Sequence, residues 1–300
     1  MNNQKQIEKK SLIVSSVVNA IMSLGGFVVF GLTGLQALFL DAFFSFIAFL
    51  SNIMAIIFAK YSKKKNSAYP TGMYFLEPLY GIIKALLIFT LLISSTLETS
   101  ISAYNYWTFG AGEAINILPV LPYSVVMVVL CFGLSVFNNK QNKKINNTST
   151  MLTAESKSNL VDGIISMGVG ILILLLLFID INGPLGFLHY TGDFFITIIL
   201  VLVSLFPPIK LFGISVREIS GATVKDKEIK KTVRAIIRKE IKDENLESKF
   251  EVYKIGKHIR VVIIINEIVD KETLLRLKSD SIREIKQIFD DVSIEFVMRI

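Results

Sequence analysis

At 300 residues the chain is long enough for two soluble domains, but its composition is that of a membrane protein. Hydrophobic residues make up 52% of it and the mean hydropathy is +0.57, which exceeds what a globular interior absorbs. The net charge of +7 does not by itself indicate nucleic acid, because basic residues beside apolar spans also set membrane orientation. The single cysteine excludes an intrachain disulfide and a thiolate cluster, and two histidines leave few nitrogen ligands for zinc.

Six stretches are apolar enough to cross a bilayer as helices, which takes about 20 residues each. We predict them at 12–32, 36–59, 76–97, 119–138, 158–179 and 193–213. Lysines flank these spans on one side, and they are Lys5, Lys9, Lys10, Lys60, Lys63, Lys64, Lys65, Lys140, Lys143 and Lys144. The opposite loops are predicted to contain only acidic charges, namely Glu98, Glu113, Asp180 and Asp193. The lysine side is therefore predicted to be cytoplasmic, with both termini inside and the protein in the cell (inner) membrane.

After Lys210 the sequence becomes charged and alternating, which predicts a change of domain. We predict a six-helix transmembrane domain at 1–213 and a cytoplasmic domain at 214–300 with the order αββαβ. Its predicted elements are a helix at 224–242, strands at 250–255 and 259–266, a helix at 271–289 and a strand at 292–298. So small an α+β domain buries little core alone, so we expect it to form a homodimer.

Polar residues recur at helical spacing inside four of the predicted spans, so each span has one polar face. The residues are Ser15, Asn19 and Ser23 on the first, Asp41, Ser45 and Asn52 on the second with Ala48 on the same face, Glu77 and Lys84 on the third with Gly81 between them, and Glu155, Ser158, Asn159, Asp162 and Ser166 on the fifth. Small and hydroxylated residues are common where membrane helices contact one another, and we interpret Ser15, Asn19, Ser23, Ser45 and Ser166 as such contacts. Ionisable residues in hydrocarbon are costly, at roughly 2.5–3.5 kcal/mol each, and indicate function.

Alternatives remain open for the ionisable residues. A carboxylate deep in a span, such as Asp41 or Asp162, must pair with a cation, become protonated or face water. The structural alternative for both is a buried salt bridge to Lys84. Glu77 precedes Pro78 at a helix start, where its carboxylate also complements the positive helix end.

Several motifs resemble those of the cation diffusion facilitators, dimeric antiporters that exchange protons for divalent metals across a membrane. The motifs are Leu32-Thr33-Gly34 before a span with Asp41-Ala42, Tyr69-Pro70-Thr71-Gly72 with Glu77-Pro78-Leu79, Ala154-Glu155 with Asp162, and Glu218-Ile219-Ser220-Gly221-Ala222 ahead of the αββαβ domain. The resemblance covers nearly the whole chain. It implies proton-coupled cation transport by a dimer that associates through its cytoplasmic domain.

The chain departs from that family at the transport site. The resemblance places four metal ligands at Phe44, Ala48, Ser158 and Asp162, and only Asp162 retains the ligand type that the family uses. Histidines that are usual before the third span are replaced by Tyr69 and Met73. A tetrahedral zinc site built in the family's way is therefore not expected.

We predict instead an oxygen-rich cation site. Its predicted metal ligands are Asp41, Asp162, Ser45, Ser158 and Asn159, and the residues predicted for proton coupling or charge compensation are Lys84, Glu77 and Glu155. Oxygen ligands favour Mg²⁺, Mn²⁺ or Na⁺ over zinc as the cargo, and no resident cofactor is expected. The predicted partners are the lipid bilayer, a second copy of the chain, inorganic cations and protons, but not nucleic acid.

The leading functional hypothesis is a proton-coupled cation exporter. The alternative is a transport-silent relative that acts as a structural or regulatory partner, which the three lost ligand positions favour. An enzyme is not expected, because Cys131 has no histidine to activate it and is typical of a packing residue. His258 is expected in or beside a turn and exposed to solvent.

Overall fold

The computed structural model describes residues 2–112, 114–145, 149–243, 248–265, 269–289 and 291–298. The helices are α1 Asn2–Thr33, α2 Gln36–Tyr61, α3 Leu76–Phe109, α4 Val120–Lys144, α5 Thr150–Leu176, α6 Leu188–Ser204, α7 Phe206–Ile219, α8 Lys227–Asp243 and α9 Lys271–Ile285. The strands are β1 Ser248–Ile255, β2 His258–Ile265 and β3 Asp291–Met298. The predicted exterior acid Glu113 lies outside the described residues.

The described chain contains six helical segments long and apolar enough to cross a membrane, which confirms the six predicted spans. The third is longer than predicted and continues to Phe109, so Glu98 lies on a helix rather than in a loop. Thr96 and Ser100 donate hydrogen bonds to backbone carbonyls one turn earlier, at 2.7 and 2.6 Å, and thereby satisfy their hydroxyls inside the helix. Gly110 follows with a φ of 63°, the left-handed conformation that ends many helices.

The sixth candidate span, Leu188–Ile219, contains a break. Helix α6 ends at Ser204 and α7 begins at Phe206, which is followed by Pro207 and Pro208. Proline lacks a backbone N–H and is tolerated in the first turn of a helix, where that group has no helical acceptor. The proline pair therefore explains why a new helix starts here.

Two compact units make up the described chain, and the first comprises residues up to Ile57 together with Leu86–Pro208. Its main apolar core includes the fully buried side chains of Leu38, Leu40 and Ile173. Large apolar side chains on other helix faces, such as Val28 and Ile93, are mostly exposed. Such faces suit contact with lipid, because lipid tails are as apolar as these side chains and exposure to them has no energetic cost.

The second unit comprises Phe58–Ala85 together with the described residues from Ile209 onward. Its sheet has the order β1-β2-β3, with β1 antiparallel and β3 parallel to the central β2. Helix α9 lies between β2 and β3 in the chain and supplies the crossover connection that two parallel strands need. Fully buried Ile237 of α8 and Ile285 of α9 belong to one core with the sheet residues. The predicted αββαβ order is confirmed.

Candidate cation site

Asp41 is the buried carboxylate at which three helices of the first unit are joined. It lies on α2 with 7% of its surface exposed. The hydroxyl of Tyr123 on α4 donates to Oδ2 at 2.8 Å, and the hydroxyl of Ser166 on α5 donates to Oδ1 at 3.3 Å. Both carboxylate oxygens of Asp41 therefore accept a hydrogen bond from a neutral donor.

A second hydrogen bond links α2 to α5, because the Asn52 amide donates to Glu155 Oε2 at 3.2 Å. Asp41 and Asn52 are separated by as many residues on α2 as Glu155 and Ser166 are on α5. The two links are thus about 16 Å apart along each helix and define an antiparallel register. In this register Ser45 lies level with Asp162, the second carboxylate of the predicted site.

Asp162 lies on α5 and is half-buried. The side chain of Cys131 on α4 is within electrostatic range of both Asp162 and Asp41. Close packing of α4 on α5 contributes to this proximity, since a Cβ built at Gly163 would lie 3.1 Å from the Cβ of Cys131. Both predicted carboxylates therefore lie near Cys131 and share one electrostatic environment.

The neutral residues of the predicted site have different surroundings. Ser45 is buried, and Asn159 is 1% exposed with an amide nitrogen that has no hydrogen-bond partner in the described chain. Ser158 is exposed and lies one residue away from the face shared by Asp162 and Asn159. Asp41 contacts α5 directly, and by helical spacing Ser45, Asn159 and Asp162 share the helix faces on which the two α2–α5 hydrogen bonds lie, whereas Ser158 lies beside this face.

No group of three or more histidine, cysteine, aspartate or glutamate side chains in the described residues is arranged to hold a metal ion. Any cation at this position would therefore need hydroxyl, amide or water oxygens in addition to the two aspartates. Such a ligand set suits hard cations and is unlike the nitrogen and sulfur ligands that zinc prefers.

A separate polar contact joins α1 to α4. Ser15 and Asn138 exchange hydrogen bonds of 3.2 and 2.9 Å in the buried interior of the first unit. For Ser15, the predicted role in helix contact is confirmed. Asn19 lies one turn along α1 and is buried, but its amide nitrogen has no partner in the described residues.

The comparisons with known proteins agree with this membrane architecture. The model of the cation efflux transmembrane domain matches residues 12–220. The chain belongs to the cation efflux family. No functionally curated protein matches it. Members of this family are transporters rather than enzymes, so the chain is a multi-pass membrane protein of a family that moves cations across membranes.

The structure also shows what occupies the positions where this cation efflux family member lacks the usual ligands. Phe44 is half-buried and packs against the main apolar core of the first unit. Ala48 lies level with Asn159 in the register of α2 and α5. Neither side chain has an atom that binds a cation, so the loss of ligands predicted from sequence is not compensated at those two positions.

Tyr123 is the residue of this arrangement that sequence reasoning missed. It follows Pro122 near the start of α4, where a tyrosine is typical of a membrane-interface position. Its partner Asp41 is 82 residues earlier in the chain. One sequence feature could have indicated this role: a buried tyrosine hydroxyl usually has a hydrogen-bond partner, and Tyr123 lies at the edge of an apolar span.

Two predicted coupling residues, Lys84 and Glu77, belong to the second unit and are half-buried. Glu77 lies in the first turn of α3, as predicted. A Cβ built at Gly256, whose φ is 56°, would lie 2.9 Å from Glu77 Oε2. Because a positive φ is strained for residues with a Cβ, and a Cβ would also lie 2.8 Å from the Tyr74 backbone oxygen, glycine is required in this turn beside Glu77.

His258 is buried, with 8% of its surface exposed, so the prediction of an exposed residue is wrong. It is the first residue of β2, and its ring stacks on Tyr74 with 4.5 Å between centroids. One ring nitrogen lies 3.2 Å from Asp291 and the other 2.8 Å from Ser293, while the Tyr74 hydroxyl also donates to Asp291. Side chains from a loop and a second strand cover the imidazole, which a turn position in the sequence does not reveal.

We expect this cluster to make stability depend on pH. Burial lowers the pKa of His258 below 6.5; Arg260 and Lys65 act in the same direction, whereas Glu295 opposes them. The unfolded chain therefore binds a proton that the folded chain does not, so the free energy of unfolding falls as the pH drops below about 6.5. Melting temperatures at about pH 7.5 and 5.5 should differ less for His258→Gln than for the wild type. An equal loss in both proteins would contradict this assignment.

Proposed function

We propose that this cation efflux family member exports a hard cation in exchange for protons through the facing surfaces of α2 and α5. The observation that carries the proposal is the register of these helices, fixed by Asp41 with Ser166 and by Asn52 with Glu155. This register supports the proposal, because by helical spacing it puts Asp41 level with Ser166 and Asp162 level with Ser45, so that each aspartate has a neutral hydroxyl opposite it. Ionisable residues inside membrane spans are typical of ion and proton pathways.

The proposed cargo is Mg²⁺, Mn²⁺ or Na⁺. The proposed ligands are Asp41, Asp162, Ser45 and Asn159, with Ser158 available at the edge of the face. A small hard cation usually keeps several waters and binds one or two carboxylates, so two aspartates with a few neutral oxygens suffice. The family match supports cation transport in general, and the ligand chemistry narrows the choice.

Proton coupling follows from charge balance at the same residues. Two aspartates inside a membrane span carry a charge that must be neutralised by a cation or by protons. A site that alternates between a cation-bound state and a protonated state exchanges the cation for protons. Glu155, which accepts a hydrogen bond from Asn52, is the proposed proton route at one end of the face, and Lys84 and Glu77 are proposed to compensate charge.

The proposed assembly is a homodimer in the cell (inner) membrane, with transmembrane residues 1–213 and a cytoplasmic domain at 214–300. The asymmetry of lysines between the loops supports cytoplasmic termini. Transport would proceed by alternating exposure of a fixed site near the middle of the membrane, as in transporters generally.

A flux assay tests the proposal directly. The full chain is reconstituted in vesicles and given Mg²⁺, Mn²⁺, Na⁺ or Zn²⁺ separately, with and without an imposed pH gradient. We expect movement of at least one oxygen-seeking cation, accelerated by the gradient, and slower movement of Zn²⁺. Flux of none of the four would reject the proposal, and equal flux with and without the gradient would reject the proton coupling.

A second candidate is a transport-silent relative that acts as a structural or regulatory partner. The absence of a three-residue metal cluster from the described residues favours it. Calorimetry of the purified protein with the same four cations separates the candidates, because a silent partner is expected to bind none of them at its membrane site.

A further inference from the structure

The hydroxyl of Tyr123 occupies one oxygen of Asp41, a residue proposed to bind the cargo. We propose that Tyr123 is a positioning residue that competes with the cation for Asp41 and so promotes release of the cargo. This inference rests on the proposed function, because it concerns a ligand of that site.

The Tyr123 hydrogen bond is the stronger of the two at Asp41. Its oxygen atoms are 2.8 Å apart, whereas those of the Ser166 bond are 3.3 Å apart, beyond the usual distance for two oxygens. Hydrogen bonds to an ionised carboxylate are about twice as strong as those between neutral groups. A cation that takes Oδ2 of Asp41 must therefore displace a good donor, and the displaced hydroxyl opposes binding.

Gly26 on α1 leaves room for the Tyr123 hydroxyl beside the carboxylate. A Cβ built at Gly26 would lie 2.7 Å from the Tyr123 hydroxyl oxygen and 2.7 Å from the Cβ of Ala42. The hydroxyl thus lies in the space that a side chain at position 26 would fill, next to α1 and in hydrogen-bond contact with Asp41. A donor held this close competes as an intramolecular group, at a high effective concentration.

This competition has a use in a transporter. A carrier must bind its cargo on one side and release it on the other, so a site of very high affinity slows turnover. A fixed neutral donor weakens cation binding without adding a charge to the span. When the cation leaves, the Tyr123 hydroxyl restores the hydrogen bond to Asp41, which stabilises the carboxylate until a proton neutralises it.

The variant Tyr123→Phe removes only the hydroxyl and is tested as the full chain in vesicles with the cation that the wild type moves fastest. We expect KM to fall about tenfold, which corresponds to about 1.4 kcal/mol, and kcat to fall because release becomes slower. Tyr104→Phe is the matched control, since Tyr104 lies on α3 and is 62% exposed. The control should retain the wild-type KM and kcat.

An unchanged or raised KM in Tyr123→Phe would overturn the inference while leaving the proposed function intact. No flux of any cation in the wild type would reject both. Infrared difference spectra of the wild type on addition of the cation provide a readout that does not depend on the folding of a variant. We expect a shift of a tyrosine C–O band, and its absence would likewise overturn the inference.

Discussion

Replacing Asp162 with asparagine is expected to lower cation flux at least 100-fold in reconstituted vesicles. Asp162 is the single position at which the chain keeps a ligand that the resemblance assigns to the transport site, and it lies level with Ser45 across the two helices. The amide has nearly the same shape but has no charge to balance the cation or to take a proton. A charge without a counter-charge inside a membrane costs roughly 2.5–3.5 kcal/mol, so the bound cation loses stabilisation on this scale and the rate is expected to fall by about two decades or more.

Asp180→Asn is the matched control for this variant. Asp180 is exposed after the end of α5 and its Oδ1 accepts a backbone hydrogen bond from Asn182, which an asparagine oxygen can also accept. The control should transport at the wild-type rate.

Asp41→Asn is expected to lower flux as well, because it removes the other proposed carboxylate. Wild-type flux in both the Asp41 and Asp162 variants would reject the carrier hypothesis.

The spacing of polar residues predicted much of the candidate site. Asp41, Ser45 and Asn52 recur at helical intervals, and so do Glu155, Asn159 and Asp162, which is enough to place each set on one helix face. Which two faces meet is a property of tertiary packing. The register that places Asp162 level with Ser45 became visible only through hydrogen bonds between residues about a hundred positions apart.

The missed features share one physical cause, which is that a partner distant in sequence decides the environment of a side chain. Tyr123 has the pattern of an interface aromatic until Asp41 is found beside it. His258 has the pattern of a turn residue until Tyr74 and Asp291 cover it. Local signals, such as the proline pair in the first turn of α7 or the glycine after α3, mark helix ends but do not reveal such contacts.

Asp193 is a carboxylate whose role also emerged from packing. It was predicted in an exterior loop, but it lies on α6 and accepts hydrogen bonds from the backbone N–H groups of Gln36 at 2.8 Å and Ala37 at 3.1 Å. These two groups belong to the first turn of α2 and have no acceptor within their own helix. A negative charge there also complements the positive end of the helix. Asp193 thus fastens the start of α2, the helix that contains Asp41, to α6.

Asp193→Ala is therefore expected to destabilise the membrane-embedded unit by about 3 kcal/mol, because it leaves two backbone donors of α2 without acceptors. Cys131 is the only cysteine in the sequence and is fully buried in the same unit, so a thiol-reactive fluorophore in detergent reports unfolding. Thr197→Val is the matched control one turn along α6, since it loses only a 3.3 Å hydrogen bond to the same carboxylate and should cost less than about 1 kcal/mol. Similar melting temperatures for the Asp193 and Thr197 variants would show that the carboxylate does not hold α2 in place. A large decrease in the free energy of unfolding for Asp193→Ala, but not for Thr197→Val, would show that the Asp193 carboxylate holds the start of α2 in place.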